Sequence, residues 1–180
     1  MLIGEKTRLR LVEEEDLAQL VAWRNEPSIW AGFFNKFPLS LGGQKEWYAR
    51  LMQDPTRRFF MICTVATGEA IGTIALEALD FANGSVEIGN VLIGQPAYLG
   101  AGYAKEAIEL LLALCFLRLN LNRVYLHVYA DNARAIGLYR AVGFRDEGLL
   151  REAYYEGGGY KDGLVLSLLR REYSPREVAA

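Results

Sequence analysis

Residues 97 to 116, AYLGAGYAKEAIELLLALCF, set two glycines one residue apart at the start of a strongly apolar helix. Inside a helix each glycine costs about 1 kcal/mol relative to alanine. At a helix start the cost has a use, because the first backbone N–H groups have no intrahelical partner there. Gly100 and Gly102 let the backbone approach a ligand and adopt left-handed dihedrals. With the helix dipole this makes an anion site, and phosphate is its usual guest. A tight strand-to-helix connection is the other use of such a turn. Two nucleotide readings fail on particular residues. A dinucleotide turn wants a small residue where Lys105 stands and an acid about 20 residues on, where the chain reads LNRVY. A P-loop wants Gly-Lys-Ser/Thr, which is absent.

The elements that must position this turn can be read from periodicity. TRLRLV (7–12) alternates as a strand, and EEEDLAQLVAWRN (13–25) follows with helical spacing and acids in its first turn. Residues 26 to 43 read as irregular and aromatic-rich, and a second helix is expected over 44–53, stopped by Asp54-Pro55. RFFMICTVA and AIGTIALEAL form a hairpin through TGE, and the Asn-Gly pair in FANGS turns the chain into SVEIGNVLIG. Beyond the glycine turn and its helix, NRVYLHVYA is a strand. DNARAIGLYRAVGF is a short helix capped by Asp131 or Asn132 and ended by Gly143. Two closing strands flank EGGGYKDG. The order β α α β β β α β α β β implies a mixed α/β sheet of about seven strands, mostly antiparallel, with helices on both faces.

At 180 residues, with 52% hydrophobic and 23% charged residues, the chain is expected to be one domain over 1–173 with a frayed tail at 174–180. A net charge of −2 without a dense basic run gives no reason to expect nucleic acid. The charged start lacks the core of a signal peptide, and no apolar run is long enough to span a bilayer, so no membrane association and a cytoplasmic location are expected. Cys63 and Cys115 sit in apolar runs as small core residues. One histidine, His127, and no cysteine cluster leave no metal site.

The strand–YLGAGYAKEA–helix unit resembles the acetyl-coenzyme A pyrophosphate loop of the GNAT N-acetyltransferase superfamily, whose pattern is Gln/Arg-x-x-Gly-x-Gly/Ala. Gly100 and Gly102 match; Ala97 stands where Gln or Arg is commonest. DNARAIGLYRAVGF resembles the family's Asn-x-x-Ala-x-x-x-Tyr-x-x-x-Gly-Phe segment. LRLVEEEDLAQLVAWRNEP and EGLLREAYYEGGGYKDGLVLSLLRREY are similar to the branch that acetylates ribosomal-protein N-termini (alanine or serine). The resemblance covers nearly the whole chain, least well over 26–43.

It implies a GNAT fold and acetyl-CoA as co-substrate, attacked directly by a primary amine. The coenzyme-binding residues implied are Val91, Leu92 and Ile93 beside the pantetheine arm. Leu99, Gly100, Ala101, Gly102, Tyr103 and Ala104 follow at the pyrophosphate, with Asn132 and Tyr139 on the next helix. Tyr139 is expected to donate a hydrogen bond to the departing thiolate, since a tyrosine near pKa 10 gives up its proton to a thiolate near 8.5 only uphill, by about 2 kcal/mol. Glu87, an acid inside an apolar strand, is the candidate general base, with His127 or water as alternatives. A backbone N–H near Val91 is expected to polarise the carbonyl. Trp30, Phe33, Phe34 and Tyr154 are the expected acceptor-side residues. A protein N-terminal amine is the expected acceptor. The alternatives are a small-molecule amine (amino sugar, polyamine or aminoglycoside) or a non-catalytic acyl-CoA sensor. Between Glu26 and Glu46 there is no acid, a weak argument against a polycation, since Glu152, Glu156 and Asp162 on the closing hairpin could supply the carboxylates. A monomer or homodimer is expected.

Overall fold

The computed structural model describes residues 1–30, 32–34 and 37–175. Part of the expected acceptor segment (31, 35 and 36) and most of the expected frayed tail (176–180) lie outside the described residues. The strands are β1 (Leu2–Ile3), β2 (Thr7–Leu11), β3 (Arg58–Thr64), β4 (Ala70–Asp80), β5 (Ser85–Ile93), β6 (Arg123–Tyr129), β7 (Arg145–Glu156) and β8 (Gly159–Leu169). The helices are α1 (Leu17–Asn25), α2 (Pro27–Trp30), α3 (Leu41–Gln53), α4 (Tyr103–Ala113) and α5 (Ala133–Val142). The strands form one sheet in the order β1-β2-β3-β4-β5-β6-β8-β7. Every neighbouring pair is antiparallel except β5 and β6. The expected mixed sheet is present, with one strand more than expected, the two-residue β1.

Strand alternation divides the core. Phe60 and Ile62 of β3, with Val86 and Ile88 of β5, pack against Ile108, Leu111 and Phe116 of the α4 region and against Ile136 of α5. Phe59, Met61 and Cys63 point to the other face, where Leu17, Leu20 and Trp23 of α1 and Leu51 of α3 cover them. The helices thus cover both faces. Two glycines permit the tightest approaches. A Cβ on Gly94, just past β5, would lie 2.2 Å from the Trp23 ring, and one on Gly72 would lie 2.1 Å from the Leu92 carbonyl. Among the described residues no helix is long and apolar enough to cross a membrane, and no group of His, Cys, Asp and Glu is arranged to hold a metal ion.

A buried ion pair ties α1 to the sheet edge. Arg10 of β2 grips Asp16 with both guanidinium nitrogens, at 2.6 and 2.7 Å, and the Glu13 amide donates to the same carboxylate at 2.9 Å. Burial alone would raise the Asp16 pKa, but Arg10 and the Glu13 amide outweigh it and hold the group below its ordinary value. The folded pKa is therefore lower than the unfolded one. The stability this carboxylate contributes is fully present above about pH 4 and is lost as pH falls through the lower folded value. Asp16→Asn is expected to destabilise the protein by about 1–3 kcal/mol at pH 7. The gap to the parent should narrow at pH 3, as read by urea denaturation at both pH values.

Candidate active site

The site follows from a failure of strand pairing. β5 and β6 run parallel and pair only over Ser85↔Arg123, Val86↔Val124 and Glu87↔Tyr125. Both strands continue, β5 to Ile93 and β6 to Tyr129, without pairing to each other. In the same stretch β5 slips register against β4 between Thr73 and Ala75, and Asn90 there takes a left-handed backbone with φ 53°. The opening lies in a cleft of about 1030 Å³ that runs through the sheet. Val91, Leu92 and Ile93 line it from β5, and Asn132 and Tyr139 line it from α5. The free edge of β5 presents backbone N–H and C=O groups to an extended amide-bearing chain, which suits a pantetheine arm.

Leu99 continues this lining, and Gly100, Ala101, Gly102, Tyr103 and Ala104 carry the chain round into the first turn of α4. Gly100 (φ 77°) and Gly102 (φ 85°) are both left-handed, and Gly102 stands at the N-cap position of α4 with no side-chain cap. The bare helix start expected from the sequence is present, with the donors and dipole that a pyrophosphate needs. Lys6, from the turn before β2, donates from Nζ to the Ala101 carbonyl at 2.5 Å. It places a cation beside a loop whose position 97 lacks the usual basic or amide side chain. Nothing in the local sequence signals that contact, because Lys6 is 95 residues away.

Glu87 and His127, two separate candidates in the sequence, are partners: Nδ1 of His127 lies 2.7 Å from Oε1 of Glu87, and both side chains are partly exposed in the cleft. They project from the sheet face that α1 and α3 cover. Tyr139 belongs to the core beneath α4 and α5, its ring set edge-on to Phe144 at 5.9 Å. Burial pushes its pKa up to about 12. Asn132 is the N-cap of α5, its Oδ1 accepting from the Ala135 amide at 3.1 Å, which leaves its amide NH2 to donate elsewhere. Sequence reasoning missed four residues here: Glu77 accepts from Arg57 (3.2 Å) and Asn90 (2.6 Å), and Arg24 of α1 donates to Asn90 at 3.4 Å. Gly89 in mid-strand was the available signal for the bulge that delivers Asn90.

The acceptor-side aromatics divide. Phe33 and Phe34 line the cleft. Tyr154 stacks on Phe34 at 4.0 Å, and Tyr129 meets both rings edge-on, so Tyr154 supports the wall without lining it. Trp30 ends the short helix α2, is 40% exposed and is not among the described residues that line the cleft. Alanine at a left-handed position costs about 1–2 kcal/mol. At Gly102 its Cβ would also meet Lys6 Nζ at 2.7 Å, whereas at Gly100 it meets nothing within 4 Å. Gly102→Ala is expected to weaken acetyl-CoA binding about tenfold or more, and more than Gly100→Ala does. Calorimetric titration with acetyl-CoA, and with NADH and ATP as controls, measures both.

Residues 6–145 match the acetyltransferase (GNAT) domain family. An uncharacterized N-acetyltransferase, p20, of Bacillus licheniformis is 33% identical over 96% of this chain and 98% of its own length. The spermidine N(1)-acetyltransferase of Vibrio cholerae is 30% identical over 97% of this chain and 99% of its own. A crystal structure of spermidine N-acetyltransferase from Vibrio cholerae, in complex with CoA and spermine, superposes with a TM-score of 0.85 at 29% identity, covering 93% of this chain and 97% of that one. These relatives carry the family and the donor, and none of the three is named for the ribosomal-protein branch. The parted strands, the left-handed glycine pair and the family match agree: this chain belongs to the GNAT acetyltransferases and is an N-acetyltransferase that uses acetyl-CoA.

Proposed function

We propose that the acceptor is the primary amine of a small molecule, which attacks the thioester directly, rather than a protein N-terminus. The observation that carries the placement of the amine is the Glu87–His127 pair, 2.7 Å apart in the cleft where β5 and β6 part. Whole-length relatives named for spermidine support a small amine. Acetyl-CoA supplies the activated acetyl group. The chain supplies the rest. The α4 start and Asn132 hold the coenzyme, and the open edge of β5 near Val91 offers an N–H to the carbonyl oxygen. Glu87, oriented by His127, accepts the proton of the attacking amine directly or through water. Tyr139 donates a hydrogen bond to the departing sulfur. Burial raises its pKa further above that of a thiol, so full proton transfer runs uphill and its hydrogen bond does the stabilising.

Free-thiol release from acetyl-CoA, with spermidine, spermine, glucosamine and a serine-initiated peptide as acceptors, tests the acceptor class. Turnover of a small amine with none of the peptide is expected; turnover of the peptide alone would return the acceptor to protein N-termini. Tyr139→Phe should lower kcat about 100-fold with acetyl-CoA affinity within about twofold of the parent. Glu87→Gln should lower kcat/KM at neutral pH and remove the limb of the pH–rate profile that belongs to the base. An unaltered profile would take Glu87 out of the mechanism.

A further inference from the structure

Arg24 is a half-buried cleft residue that the chemistry above leaves unused. It projects from α1, whose Leu17, Leu20 and Trp23 hold the helix against the sheet, and it is one of the residues lining the cleft. Its guanidinium lies over the Phe33 ring, 3.6 Å from Cζ to the centroid. Among the described residues its one side-chain hydrogen bond is the long one to Asn90, and its buried Nε has no partner there. Arg57, nearby in the cleft, has Glu77 as countercharge. Three carboxylates line the cleft: Glu77 is engaged by Arg57 and Asn90, Glu87 by His127, and Glu26, just past α1, forms no ion pair with Arg24 among the described residues. No carboxylate among the described residues pairs with Arg24, and burial works against its charge.

A half-buried arginine without a countercharge is costly to keep. The planar fork is suited to a carboxylate or phosphate and is a poor neighbour for a polycation. Asn90, which contacts Arg24, stands three residues beyond Glu87 on β5, roughly 10 Å of extended chain. An amine at Glu87 and an anion at Arg24 therefore fit within one small molecule. We propose that Arg24 recognises the acceptor, taking a carboxylate or phosphate carried by the molecule whose amine is acetylated. The acceptor is then a zwitterion and not a polyamine. The inference rests on the small-amine reading and narrows it.

Matched acceptors test it: 6-aminohexanoate against hexylamine, glucosamine 6-phosphate against glucosamine, and spermidine as the polycation. In the parent, at least one anionic member should exceed its uncharged partner tenfold or more in kcat/KM, and which pair responds tells carboxylate from phosphate. Arg24→Met should bring that ratio to within about twofold of 1, Arg24→Lys should keep part of it, and acetyl-CoA affinity should be unmoved in both. Spermidine as the best acceptor, a preference that survives in Arg24→Met, or a loss of acetyl-CoA affinity with unchanged acceptor preference would each overturn the proposal. Titration of the CoA-loaded protein with 6-acetamidohexanoate and glucosamine 6-phosphate separates the two levels of inference. Anion-dependent binding lost in Arg24→Met supports the recognition site even if no amine is turned over, which would sink acetyl transfer alone. Turnover of uncharged amines without anion-dependent binding would sink the Arg24 proposal alone.

Discussion

Two parallel strands that stop pairing organise everything functional in this chain. A strand with a free edge leaves backbone donors and acceptors that must find partners. β5 and β6 leave this edge open to the cleft, where an amide-rich ligand, bound as proposed, would supply the partners. The gap also joins the two faces of the sheet. Tyr139 sits in the core under α4 and α5, Glu87 and His127 on the face under α1 and α3, and one cleft reaches both. On the mechanism proposed above, leaving group and nucleophile are served from opposite sides of the same opening.

The bulge at Asn90 adds a second layer of order. Its left-handed backbone turns the side chain so that its amide donates to Glu77 and its oxygen accepts from Arg24, while Thr73 holds its carbonyl at 2.8 Å. Strain of this kind persists where the surroundings over-determine it. Here three polar partners and the adjoining Gly89 do so, and the result is a polar rim along an otherwise apolar strand.

Most of the fold was legible because the strands alternate and the helices carry caps. The exceptions have physical causes. β1 is two residues long and has no period to read. α3 begins at Leu41, three residues before the sequence suggests, because Gly42 and Gly43 conceal a helix start that Ser40 caps through the Gly43 amide at 3.1 Å. α2 is a single turn opened by Pro27 inside a stretch that reads as irregular. The coenzyme side of the site was legible because glycine spacing and backbone conformation are local properties. The acceptor side was not. Glu87 and His127 meet only because a crossover through α4 lays β6 beside β5, and a charge such as Arg24 on an amphipathic helix reads as solvated until the fold folds it inward. The aromatics of 26–43 read as one wall, but Trp30 leaves it.

The loop that receives the pyrophosphate is fastened to the far edge of the sheet. Lys6 holds the Ala101 carbonyl, and Glu106 in the first turn of α4 accepts from the Glu5 amide at 2.6 Å and, more weakly, from the Lys6 amide. The turn between β1 and β2 and the coenzyme loop therefore open and close as one cooperative unit, so that occupancy of the loop raises the free energy needed to expose the β1–β2 amides. If the loop takes the pyrophosphate as proposed, the edge hairpin reports coenzyme saturation.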